Sequence, residues 1–418
     1  MKCNYMTDVQ IVDDVEEVIA EKMKNDSEDA FFVADLSDVV RKLDKWKRLL
    51  PRVDPHYAVK CNDDISILSM MVSLGMGFDC ASKAEIERII GLNVDPSRII
   101  YANPCKQNSH IRMAAKNGVS LTTFDNEEEL YKIAKVHPEC QLVLRILPPD
   151  DIKAQCQLGM KYGAHPKNWE QLLLKAKELK LNVVGVSFHV GSGCYEAKAF
   201  SAAVRMAHDA FCLAKTLGFE FNLLDIGGGF PGHVGAPITF EEIVSDLKPT
   251  LDELFPEESG IRIIAEPGRY FVASALTLVV NVIAKRETEN EQGEKSIMYY
   301  VNDGVYGSFN CLLYDHAVVT PEFKQDYTGI KHDSSVWGPT CDGLDCLNER
   351  IRLPELFVGD WLVYKNMGAY TMCAASNFNG MPKPNLFYVV LNGIYKKLKN
   401  PTLVDNLSPR TPLIAVKA

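Results

Sequence analysis

A chain of 418 residues that is 47% hydrophobic and 24% charged can bury more than one core, so two domains or one large one are expected. Its net charge of -10, with no basic stripe or Arg-rich arm, argues against nucleic acid and anionic membrane as main partners. There is no run of about 18 consecutive apolar residues and no basic start followed by an apolar stretch, so a cytoplasmic enzyme is the default. The 12 cysteines are scattered, several inside apolar runs such as GFDCAS, and no C-x-x-C pair occurs. Reduced thiols are therefore expected, with no disulfide framework and no metal.

Along the chain, eight strand-like apolar runs alternate with helix-period segments between about residues 56 and 270. The runs are HYAVK near 56, GFDCA near 77, RIIYA near 98, SLTTF near 120, QLVLRI near 141, VVGVSFHV near 183, NLLDIG near 222 and RIIAE near 262. Amphipathic stretches such as KAEIERIIGL and NWEQLLLKAKELKL separate them. This alternation predicts an α/β fold, a (β/α)8 TIM-type barrel in preference to an open doubly wound sheet. Beyond residue 270 the texture becomes strand-rich, with LTLVVNVIA, SIMYYVNDG, DWLVYKN and NLFYVVL broken by Gly, Pro and Asn turns. The expected organisation is a barrel over 31–270, a β-rich C-terminal domain of 271–400 joined by residues 1–30, and a short tail over 401–418. The charged stretch 285–295 reads as a solvated hairpin loop.

Barrel active sites form where the strands end, so polar residues there are the candidates. Lys60 ends the first run, Asp79 the second, Arg145 the fifth, His189 the sixth, Gly227, Gly228 and Gly229 the seventh, and Glu266 and Arg269 the eighth. Singly, each has a plain structural reading: a core histidine, a helix cap, an ion pair. Their convergence on one rim favours a shared site. A desolvated amine loses its charged form more easily and becomes a nucleophile able to form a Schiff base. The GGGFPG stretch offers side-chain-free backbone N–H groups to a phosphate. It also spells G-x-G-x-x-G, but Pro231 is awkward for a dinucleotide turn. A reactive lysine, a phosphate nest and a carboxylate for a pyridine nitrogen together describe pyridoxal 5'-phosphate. Glu266 would face the ring nitrogen, His189 the ring face, and Arg269 with Ser192 the phosphate.

With these residues in place, the chain resembles the eukaryotic ornithine decarboxylases of the alanine-racemase-type pyridoxal phosphate fold. The resemblance runs from about residue 25 to 390 through HYAVKCND, GFDCASK, IYANPCKQ, FHVGSGC, LLDIGGGFPG, IIAEPGRY, YVNDGVYGSFNCLLYDH, WGPTCDGLD and NMGAYT. It implies decarboxylation of L-ornithine to putrescine and CO2, the entry to polyamine synthesis. Lys60 would carry the cofactor, and Asp79, Arg145, His189, Ser192, Gly227, Gly228, Gly229, Glu266, Pro267, Gly268, Arg269 and Tyr370 would complete its site. Cys341 would donate the proton that replaces the carboxylate, while Tyr314, Asp315, Asp342 and Phe378 would meet the substrate. In the family the CDGLD loop enters the opposite subunit's site, which implies a homodimer with shared active sites. It also brings the regulator antizyme into view as a partner, through residues 114–137, a region that pattern alone favours as a barrel strand followed by an ordinary surface helix.

Several positions depart from the family pattern: Asn377 where threonine is common, LPPDD after the fifth strand, and Cys346 after CDGLD. They bear on substrate preference. The C-terminal SPRTPLIAVKA is shorter than the tail of rapidly degraded animal members, so tail-driven turnover is not expected. Two rivals stand beside the main reading: a catalytically inactive regulator of the antizyme-inhibitor kind, and a paralogue acting on lysine or an apolar amino acid.

Overall fold

The computed structural model describes residues 9–24, 27–149, 152–156, 158, 161–233, 235–289, 293–324 and 329–399. The tail over 401–418, the two aspartates of LPPDD and the tip of the 285–295 segment lie outside the described residues. Arg41–Phe271 form one compact unit, and the described residues before and after it form the second.

In the first unit eight parallel strands close into a barrel: Val53–Ala58, Gly77–Cys80, Ile99–Tyr101, Leu121–Phe124, Gln141–Arg145, Asn182–Ser187, Leu223–Asp225 and Arg262–Ala265, the last pairing with the first. Each coincides with one of the eight predicted runs. Ile100, Leu121, Val143, Val184, Leu223 and Ile264, from six different strands, pack into one cluster that fills the barrel. Short polar caps start the outer helices. Asp64 accepts the N–H groups of Ser66 and Ile67, Ser82 that of Glu85, and Thr239 forms a reciprocal capping box with Glu242. A short antiparallel pair that periodicity did not predict, Ala154–Cys156 with Ser192–Cys194, is added to the barrel unit.

The second unit is an eight-stranded sheet. Its order is Val9–Val12, Asn385–Leu391, Phe31–Asp35, Leu276–Glu289, Lys295–Val301, Lys331–Trp337 and Cys346–Pro354, with Trp361–Tyr364 also paired to Leu276–Glu289. Val18, Ile19, Phe31, Val33, Val279, Val363 and Val389 form a core cluster in it.

Three details differ from the sequence reading. Phe31–Asp35, assigned to the barrel domain, is instead a central strand of this sheet, because FFVAD is buried along its whole length and finds two partner strands there. Lys331–Trp337 and Cys346–Pro354 were not predicted, since their outward positions are polar and KHDSSVW has too few apolar residues to signal a strand. Lys285–Glu289 continue a strand paired with Lys295–Tyr299, so these residues of the 285–295 segment are strand and not hairpin loop.

Among the described residues no cysteine forms a disulfide. No described helix is long and apolar enough to cross a membrane.

Candidate active site

The first barrel strand stops at Ala58, whose N–H donates to the Pro267 carbonyl, and the chain turns through Val59–Cys61 before Asp64 starts the next helix. That turn places the Lys60 amine 2.5 Å from Asp79 Oδ2. Lys60 is partly exposed, while the Asp79 side chain is wholly buried. Asp79 is thus no helix cap; the cap following its strand is Ser82. Its other oxygen, Oδ1, is buried with no hydrogen-bond partner.

Below the lysine, Glu266 and Asp225 face one another, each with one buried oxygen without a partner. Burial, then the neighbouring charges of Asp225 and Asp79, push the Glu266 carboxyl well above its usual range. Burial also lifts Asp225 to about 7, although the Gly227 N–H holds its Oδ1 at 2.9 Å. Carboxylates this close in a dry site resist ionising together. His189 is pushed well below its ordinary value by burial and by the nearby cations Arg145, Lys60 and Arg269. Its Nδ1 accepts the Gly191 N–H at 3.1 Å, so the neutral ring carries its proton on Nε2.

The glycines make room. A Cβ on Gly228 would lie 2.8 Å from His189 Nε2 and 2.7 Å from the Glu266 carbonyl. Gly227 has φ +63° and Gly229 φ +109°, and side chains there would strike the Phe188 and Gly191 carbonyls. The sequence reading gave the whole glycine run to a phosphate. The structure corrects it in part, because the Gly227 N–H is committed to Asp225. Across this cradle, Arg269 donates to Ser192 Oγ from Nε at 3.1 Å and Nη2 at 2.8 Å, and Arg145 lies 5.2 Å from the Tyr162 ring centre. The barrel residues named from sequence are therefore gathered at one mouth.

Three buried carboxyl oxygens without partners, on Asp79, Asp225 and Glu266, an amine at the rim and a cradle only glycine can line fit a group with an aldehyde, a phosphate and a protonatable ring nitrogen. Pyridoxal phosphate has these three features. A protonated ring nitrogen against Glu266 would give that buried carboxyl a charged partner.

The other predicted residues belong to the sheet unit. Tyr306 Oη donates to Asp342 Oδ2 at 2.5 Å, and the Tyr306 ring packs on Phe378 with centres 4.4 Å apart. That hydrogen bond holds the half-buried Asp342 carboxyl below its usual range. The Cys341 N–H donates to Asn379 Oδ1 at 3.0 Å. Asp345, buried, accepts from the Val305 N–H and from Thr340 through both its N–H and its hydroxyl. Asp315 is buried at the end of the short helix Cys311–Tyr314, beside an exposed Tyr314. Tyr370 takes a left-handed backbone at φ 56°, next to Thr371, whose carbonyl accepts from Asn310.

Sequence reasoning missed Asp225, Tyr306, Asn379 and Asp345. Only Asp225 carried a signal: a carboxylate between Leu224 and Ile226 in an otherwise apolar strand.

Comparison with known proteins agrees with this geometry. Residues 36–273 match the family model described as pyridoxal-dependent decarboxylase, pyridoxal binding domain. The chain is 53% identical to ornithine decarboxylase of Rattus norvegicus, covering 93% of this chain and 86% of that protein. It is 52% identical to antizyme inhibitor 2 of Xenopus laevis, covering 92% and 86%. Among solved structures it is similar to the Paramecium bursaria Chlorella virus arginine decarboxylase, with a TM-score of 0.84, 36% identity and coverage of 90% of this chain and 100% of that one. The chain belongs to the pyridoxal-dependent decarboxylases, as a pyridoxal-binding barrel with an attached β-sheet unit.

Proposed function

We propose that the protein decarboxylates L-ornithine to putrescine and CO2, with Lys60 as the lysine that joins the cofactor. The observation that carries this reading is the barrel mouth, where an amine, unpartnered buried carboxyls and a glycine cradle coincide. Pyridoxal phosphate, when bound, draws away the electron pair left as CO2 departs. The protein's own residues then have four tasks. Ser192, Arg269 and the Gly228–Gly229 backbone hold the phosphate, with Gly268 and Pro267 shaping the floor. Glu266 keeps the ring nitrogen's proton, supported by Asp225, and neutral His189 covers the ring face. Asp79 holds the Lys60 amine in place, Arg145 adds positive charge near His189, and Tyr370 would help to hold the phosphate and ring. Cys341 returns a proton to the substrate carbon.

Substrate choice falls to the sheet unit. Asp315 and Asp342 would pair with the distal ammonium, and Tyr314 and Phe378 would flank its chain. An apolar side chain there would leave carboxylates unpaired, at a cost of several kcal/mol. The site is shared across a homodimer, each subunit lending its Cys341 and Asp342 to the other.

Antizyme inhibitor 2 of Xenopus laevis is almost as similar as the rat decarboxylase, so an inactive regulator is the second reading. A product assay separates them. Protein loaded with pyridoxal phosphate should release CO2 and putrescine from ornithine faster than it acts on lysine or arginine. No release from any amino acid, with no visible-edge absorbance from bound cofactor, would make the regulator the better account.

A further inference from the structure

The turn that carries Asn377, one of the positions read from sequence as departing from the family pattern, is joined to the thiol loop by a side chain the site assignment does not use. Asn379 has a left-handed backbone, φ 55°, inside the tight turn Phe378–Gly380. Asparagine and glycine tolerate that conformation best, yet asparagine alone of the two offers an acceptor. Its Oδ1 lies 3.0 Å from the Cys341 nitrogen and accepts that N–H. The turn is fixed in its own right: Gly380 N–H donates to the Asn377 carbonyl, and Ser376 donates to the Tyr306 carbonyl through its N–H at 2.9 Å and its hydroxyl at 3.0 Å. Phe378 adds its ring against Tyr306. Tyr306 in turn holds Asp342. The backbone amide of the thiol residue is thus tied to a braced turn, and its neighbour's carboxylate to the same brace.

We infer that Asn379 is a positioning residue for Cys341, fixing where the thiol presents its proton and so deciding which carbon receives it. This rests on Cys341 being the proton donor. The thiol proton passes to the carbon that lost CO2, and the thiolate regains a proton from water. When the thiol is misplaced, water protonates the cofactor's carbon instead, the substrate nitrogen stays with the cofactor as an amine, and the organic product leaves as an aldehyde after hydrolysis. No outside oxidant or reductant is needed, because the cofactor gains the electrons that the product loses.

The test uses three variants of the full chain. Asn379→Gly keeps the left-handed turn and removes the acceptor, Asn379→Asp keeps both, and Cys341→Ala tests the underlying reading. One readout needs no cofactor: amide exchange at Cys341, followed in protein labelled with 15N-cysteine. Exchange should quicken about three- to tenfold in Asn379→Gly, the population change that losing one hydrogen bond permits, and stay near wild type in Asn379→Asp. The second readout is the ratio of aldehyde to putrescine. It should rise in Asn379→Gly by a similar factor, stay low in Asn379→Asp, and rise most in Cys341→Ala. If Cys341→Ala leaves the ratio unchanged, the donor assignment falls and the positioning role falls with it. If Cys341→Ala raises the ratio while Asn379→Gly matches wild type in ratio or in exchange, the donor stands and Asn379 has no positioning role.

Discussion

Lys60 and Asp79 stand 19 positions apart and meet at 2.5 Å, which puts an amine beside a buried carboxylate at the barrel mouth. Replacing Lys60 by alanine should remove both the visible-edge absorbance and turnover, and absorbance retained in that variant would move the attachment elsewhere. Asp225 gives a separate, pH-based expectation. Burial raises its folded value to about 7 from 3.8, so the folded chain holds this proton more tightly than the unfolded chain does. Its stabilising contribution is therefore complete below about pH 4 and is lost as pH climbs through 7. His189 works the other way, since its lowered value costs stability as pH drops below the ordinary histidine range. The difference between wild type and Asp225→Asn isolates the first effect. Thermal unfolding of cofactor-free protein should show wild type losing ground to Asp225→Asn between about pH 4 and pH 7, the window between the two values. A constant difference across that range would mean Asp225 stays ionised. Residue by residue, the barrel half of the candidate site was legible because Lys60, Asp79, Arg145, His189, Glu266 and Arg269 stand at or just past the ends of apolar runs. Asn379 and Tyr306 were not legible, because each acts through a contact made only after two distant loops are brought together.

At the level of elements, the glycine run after the seventh strand is the most constrained piece of the barrel mouth. A Cβ on Gly227 would sit 2.0 Å from the Phe188 carbonyl, on a backbone at φ +63°. Gly227→Ala is expected to cost at least about 2 kcal/mol through this clash and strain together, and to weaken cofactor retention. Urea denaturation and cofactor titration would read both, and a variant as stable as wild type would show that the turn relaxes freely. The capping box at the start of Phe240–Leu254 is a useful contrast, since it lies on the outer helix layer. Thr239→Ala should cost about 1 kcal/mol with turnover at saturating cofactor unchanged. All eight barrel strands were readable from alternating apolar runs, because a parallel strand buried on both faces must be apolar nearly throughout. The half-exposed strands Lys331–Trp337 and Cys346–Pro354 were not, because their polar outer faces dilute the pattern.

For the whole molecule, the shared-site reading makes a prediction that no single chain can satisfy. Lys60→Ala and Cys341→Ala should each be inactive or divert product, yet mixing and re-associating them should restore putrescine formation to about a quarter of wild type, since half of the pairs would hold one intact site of two. No recovery on mixing would place each site within one subunit. The sequence by itself determined the closed barrel, the sheet-rich remainder and the barrel-mouth residues, because strand periodicity and chemically costly residues in apolar runs are local signals. Tertiary structure alone decided that Phe31–Asp35 joins the sheet, that Gly227 serves Asp225, and that Asn379 reaches Cys341. Each of these depends on which distant backbone offers a free partner, and a polar group finds that partner only once the chain has closed around it.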